Sequence, residues 1–151
     1  MTMVLLCWDH KTKKMTYVGA GHEHILVYKA YSGQCEAVLS GGIALGMVPD
    51  NSKLISAKEL PLDDGDFVVL YTDGITEARN KAGELFGLEK LKQSISEYAA
   101  SYSAEGVNYH VAQDVSSYMT GHVQDDDMTL IVMKRDDKTT GGKENEKETN
   151  W

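Results

Sequence analysis

Gly65-Asp66-Phe67-Val68-Val69-Leu70-Tyr71-Thr72-Asp73-Gly74 is the stretch on which the fold turns. A turn signal, Asp63-Asp64-Gly65-Asp66, opens it, and five unbroken apolar residues follow. A run so short, rich in β-branched and aromatic residues, reads as a strand rather than a helix. With apolar side chains on both of its faces, such a strand must be covered on both sides. Thr129–Met133 near the other end of the chain has the same character. In an antiparallel protein, two strands of this kind predict a sandwich whose sheets also carry helices on their outer faces.

Working outward, the first half reads as β. Met3–Asp9 and Met15–Ala20 form a hairpin across the polar turn His10–Lys14. Ile25–Tyr31 and Gln34–Leu39 form a second across Ser32-Gly33. Gly41-Gly42 opens an irregular stretch through Pro49-Asp50, and the alternation of Leu54–Leu60 predicts another half-buried strand. Two amphipathic stripes supply the helices: Leu88, Leu91, Ile95, Ala99 and Tyr102, then Val107, Val111, Val115, Tyr118 and Met119. Residues 1–135 therefore read as one domain. The polar stretch 136–151 holds too little apolar surface to offset its ordering entropy and is expected to be a mobile tail.

Charge narrows the function classes. With 15 basic and 23 acidic residues the net charge is −8, which repels nucleic-acid phosphates and anionic lipid head groups. A nucleic-acid or membrane partner is not expected. No apolar run reaches the ~20 residues that span a bilayer, and the start MTMVLLCWDH lacks the parts of a signal peptide, so a cytoplasmic location is expected. Cys7 and Cys35, both in strand-like stretches, read as reduced core residues.

Two acidic clusters stand at strand ends. Asp73 follows Phe67–Thr72 directly, and Gln124-Asp125-Asp126-Asp127 directly precedes Met128–Lys134. If these strands are antiparallel neighbours, the end of one lies beside the start of the other and the carboxylates converge. Crowded carboxylates repel, and a shared divalent cation compensates; oxygen-only donors favour Mg²⁺ or Mn²⁺ over zinc. Taken singly, each cluster also reads as an ordinary turn or solvated loop. His22 and His24 read as structural, and His10, His110 and His122 as incidental. Glu77, four residues after Asp73, reads as a helix-start residue complementing the dipole, and Arg79 and Asn80 as solvated.

The segment Gly65–Ala78 resembles the signature of the SpoIIE/RsbU-type metal-dependent protein serine/threonine phosphatases, as does Glu84-Leu85-Phe86-Gly87 after it. Tyr17-Val18-Gly19-Ala20-Gly21-His22, Gly42-Ile43-Ala44-Leu45-Gly46 and Asp126-Asp127-Met128-Thr129-Leu130-Ile131-Val132 are similar to three further segments of that family, in its order. The resemblance covers about residues 3–135. It implies an α+β fold, an αββα sandwich of mainly antiparallel sheets, here without the family's first strands and helices.

It also implies a two-ion Mn²⁺ or Mg²⁺ site with Asp73 and Asp126 as the catalytic pair, and Asp127 and Gly74 alongside them at the metal. The activity implied is hydrolysis of phosphoserine or phosphothreonine by metal-activated water. The substrate implied is a phosphorylated regulatory protein of the anti-sigma-factor antagonist type. The family's earlier Gly-Asp-x-x-Asp motif is not present in these residues, so half of the expected ligands are missing. An alternative reading is a catalytically incomplete module of the same fold that acts as a protein-interaction domain. Open sheet edges predict a homodimer or a swapped assembly.

Overall fold

The computed structural model describes residues 1–50 and 52–137. The predicted tail therefore lies, from Lys138 onward, outside the described residues. Strands β1 (Met3–Asp9), β2 (Lys14–Ala20) and β5 (Lys58–Leu60) form one antiparallel sheet in the order β1-β2-β5. Strands β3 (Ile25–Lys29), β4 (Gln34–Val38), β6 (Phe67–Tyr71) and β7 (Leu130–Lys134) form a second, in the order β4-β3-β6-β7. A one-turn helix α1 (Asp73–Thr76) and two longer helices, α2 (Gly87–Ala99) and α3 (Ala104–Tyr118), complete the chain.

The run that predicted a doubly covered strand behaves as one. Phe67, Val69 and Tyr71 face α2 and α3, where they meet Leu91, Ile95, Val107 and Val111. Val68 and Leu70, pointing the other way, meet Met15, Tyr17 and Leu60 of the three-stranded sheet. Strand β3 divides in the same way, with Leu26 and Tyr28 toward the helices and Ile25 and Val27 toward the other sheet. Each fully buried side chain of this size contributes about 1.5–3 kcal/mol. Two apolar layers thus hang on the two central strands, β3 and β6.

The result is the expected antiparallel sandwich of two sheets, with α2 and α3 on the outer face of the four-stranded one. Among the described residues no helix covers the outer face of the three-stranded sheet, and there Leu5 is 57% exposed. That open face corrects the reading of Cys7. The inward side chains of β1 are Val4 and Leu6, so Cys7 falls on the outward side and is exposed. Cys35 is buried as expected, and burial pushes its thiol up to about 12, leaving it protonated.

Strand β5 is shorter than the alternation of Leu54–Leu60 predicts. It pairs with β2 only from Met15 to Tyr17. Beyond Tyr17 the backbone of Ser40 and Gly41 crowds Gly19. The glycines of the two upstream motifs explain themselves here. A Cβ on Gly19 would collide with the Ser40 carbonyl, and one on Gly42 (φ +71°) with the Gly19 carbonyl. Ser40 Oγ donates to the His22 carbonyl at 2.5 Å, so the Gly-His segment is a loop anchor, as read from the sequence. Among the described residues no helix is long and apolar enough to cross a membrane.

At the opposite end from the acidic clusters, Asp66 is a buried knot. Its carboxylate accepts from Lys29 Nζ at 2.8 Å, from the Asp63 N–H at 2.9 Å and from the Ala30 N–H at 2.9 Å. Burial alone would raise its pKa; the Lys29 hydrogen bond and the two backbone donors outweigh it and hold the carboxyl below its ordinary range. The unfolded chain therefore takes up a proton before the folded one, and stability falls as the pH drops through about 4 and below. Replacing Asp66 by Ala should cost about 3–5 kcal/mol in urea unfolding at pH 7, because Lys29 is left unpaired. Asp66→Asn should remove part of the acid-side slope of stability against pH.

Candidate metal site

The acidic clusters meet because β6 and β7 run antiparallel. The register ends with Tyr71 opposite Leu130, so the residues after Tyr71 and those before Leu130 leave the sheet side by side. Chain reversal at α1 follows at once. Thr72 is extended (φ −99°, ψ 157°), and the Ile75 N–H then closes on the Thr72 carbonyl at 3.0 Å. Asp73 occupies the first helical position, where a carboxylate suits the positive helix end.

Gly74 sets how closely the two segments approach. It is buried, and a Cβ there would lie far inside contact distance of the Asp127 carbonyl oxygen. Only glycine lets α1 sit directly on the Asp127 carbonyl. The Asp127 carbonyl also accepts from Thr72 Oγ1 at 3.1 Å. Of the predicted residues, the structure thus brings Asp73-Gly74 and Asp126-Asp127 into backbone contact at one sheet edge.

The carboxylates themselves are exposed and partly engaged. Asp73 Oδ1 accepts from the Gly74 N–H at 3.0 Å, and Asp126 Oδ1 from the Asp127 N–H at 2.7 Å. Gln124 Nε2 donates to the Asp126 carbonyl at 2.8 Å and pins the loop. A cavity of about 120 Å³ opens between α1 and this loop, with Gly74, Glu77, Arg79, Asp125, Asp126 and Met128 in its wall. Tyr71, beneath the edge, has its hydroxyl pushed up to about 12, by burial first and by the charge of Glu23 second.

In kind, the donors fit a hard divalent cation, being carboxylate oxygens without thiolate or imidazole. In number they do not close a two-ion centre: among the described residues no group of three or more His, Cys, Asp and Glu side chains converges.

Other sequence readings sort themselves by geometry. Glu77 caps the C-terminal end of α1, not its start, because the helix lasts only four residues; dipole complementarity does not explain it. Arg79 Nη1 donates to the Gly83 carbonyl at 2.9 Å, and Asn80 Oδ1 accepts from the N–H groups of Ala82 and Glu84, so both organise a turn. His110 packs between Tyr98 and Tyr102. Thr72 escaped the sequence reading of candidate residues, although its place between strand and Asp-Gly was the available signal.

Comparison with known proteins identifies the family of the chain. The family model described as Stage II sporulation protein E (SpoIIE) matches residues 1–136. Protein IcfG of Synechocystis is 30% identical over 128 residues, which is 84% of this chain and 19% of that protein. The phosphoserine phosphatase RsbU of Bacillus subtilis is 29% identical over 135 residues, 89% of this chain and 39% of RsbU. The chain thus spans less than half the length of both curated relatives. The manganese-presoaked phosphatase domain of SpoIIE from Bacillus subtilis superposes with a TM-score of 0.67 at 16% identity, over 93% of this chain and 59% of that one.

The tight approach at Gly74 generates a stability test. Gly74→Ala should cost about 1–3 kcal/mol in chemical denaturation, since the added methyl must push the Asp127 peptide away.

Proposed function

The chain belongs to the Stage II sporulation protein E (SpoIIE) family, and from that premise we propose that it carries one wall of the active site of a divalent-cation-dependent protein phosphatase. The substrate class is phosphoserine or phosphothreonine on a regulatory partner protein of the anti-sigma-factor antagonist type. The observation that carries this reading is the backbone contact of Gly74 with the Asp126-Asp127 peptide, which holds two acidic segments at one exposed edge. A relative that is itself a phosphoserine phosphatase, and a structural neighbour soaked with manganese, support the substrate class and the cation.

In this reading Asp73 and Asp126 are the carboxylates offered to Mn²⁺ or Mg²⁺, with Asp127 and Gly74 beside them. A bound cation supplies Lewis acidity and a water of lowered pKa. The chain's own part is to fix the oxygen donors, and to leave them in the open. An exposed edge admits a phosphorylated side chain still attached to a folded protein, which a deep pocket would exclude. It also explains why a cation is needed: a chain of net charge −8 with an acidic edge repels a phosphate dianion until that charge is neutralised.

The incomplete donor set favours a second reading, in which the same fold serves as a protein-interaction module without turnover. One assay separates the two. Release of phosphate from a phosphoserine peptide should require Mn²⁺ and stop on chelation, and Asp73→Asn or Asp126→Asn should lower it about 100-fold or more. A chain that folds, binds the phosphorylated partner and releases no phosphate at any Mn²⁺ concentration would establish the second reading.

A further inference from the structure

We infer that Thr72 is the positioning residue of this edge, the group that fixes the Asp126-Asp127 segment against Asp73. The inference deepens the cation reading above and rests on it for its consequence, though not for its geometry. An antiparallel pair in the hydrogen-bonded register exchanges two main-chain bonds. Thr72 and Thr129 make only one of them: the Thr72 N–H donates to the Thr129 carbonyl at 3.1 Å. The return bond is taken by the side chain, the Thr129 N–H donating to Thr72 Oγ1 at 2.9 Å.

That exchange frees the Thr72 carbonyl, which accepts instead from the Ile75 N–H and starts α1. The hydroxyl then spends its own proton on the Asp127 carbonyl at 3.1 Å. Thr72 stands at the N-cap of α1, yet its side chain makes no cap bond to that helix. A threonine at an N-cap ordinarily turns its oxygen to its own helix. Here both hydrogen-bonding functions of the hydroxyl are committed to the chain 55 and 57 residues away. One side chain thus lets β6 turn into a helix at Asp73 while β7 keeps its register, and it fixes where the second acidic segment departs.

Among the described residues the hydroxyl bonds only to the Asp127 carbonyl and the Thr129 N–H, so its effect on a cation passes through the placement of the Asp126-Asp127 segment against Asp73. Residues that orient metal ligands in this indirect way typically change affinity 10- to 100-fold when removed.

The test compares the whole chain with Thr72→Ser, which keeps the hydroxyl, and Thr72→Val, which keeps the shape without it. Two readouts are taken: Mn²⁺ affinity by calorimetric titration, and hydrogen exchange of the Thr129 amide without metal. Thr72→Val should speed Thr129 exchange and weaken Mn²⁺ binding about 10-fold or more, while Thr72→Ser stays near the parent in both. Unchanged exchange and affinity in Thr72→Val would overturn the inference. So would an affinity that is unchanged while only exchange and stability suffer, because the role would then be structural alone. A parent chain that binds no Mn²⁺ would overturn the cation reading instead, and Thr129 exchange would still decide whether Thr72 holds the segment.

Discussion

The antiparallel pairing of β6 with β7 is the constraint on which the rest of this structure depends. Strand β6 is apolar on both faces, so burying Phe67, Val69 and Tyr71 against α2 and α3 leaves Val68 and Leu70 to be covered by the second sheet. Once β6 is central, β7 completes it on one side and β3 on the other. Their register places Tyr71 opposite Leu130, and the chain must leave the sheet at both of these points together. Everything of chemical interest at the edge follows from that coincidence. The Asp73-Gly74 and Asp126-Asp127 segments are neighbours because hydrophobic burial elsewhere puts their strands side by side.

The exposed carboxylates of these two segments are each held only by a neighbouring main-chain group. Backbone N–H groups of Gly74 and Asp127 each take one carboxylate oxygen, and the remaining oxygens stay in solvent. This contrasts with Asp66 at the other end of the sandwich, where Lys29 and two backbone donors satisfy the carboxylate completely within the fold. One buried acid is a structural knot and the exposed ones are available. Membership of the SpoIIE family and the donor set then point the same way, toward a hard cation.

Much of this was legible in the residues. The unbroken run Phe67–Tyr71 announced a strand covered on both faces, and the stripe Leu91, Ile95, Ala99 announced its cover. The convergence of Asp73 with Asp126-Asp127 followed from strand order alone. What escaped reading depended on contacts between distant segments. Neither the short β5 nor the Ser40–Gly42 loop lying on Gly19 is encoded in any local periodicity. Cys7 reads as core because its neighbours are apolar, yet β1 has a second apolar face that nothing among the described residues covers. Glu77 reads as a helix-start residue, yet α1 ends at Thr76 and Glu77 is its C-cap. Thr72 looks like an ordinary N-cap until its partners across the sheet are known.

The central claim is that the edge formed by Asp73-Gly74 and Asp126-Asp127 is where a divalent cation sits. Paramagnetic broadening of backbone amide signals by substoichiometric Mn²⁺ tests it most directly, because it reports position without requiring turnover. The account predicts that the amides of Asp73, Gly74 and Asp126–Met128 vanish first, with those around Asp66 and Lys29 at the far end of the sandwich untouched. Broadening centred elsewhere, or none at concentrations that support phosphate release, would contradict it.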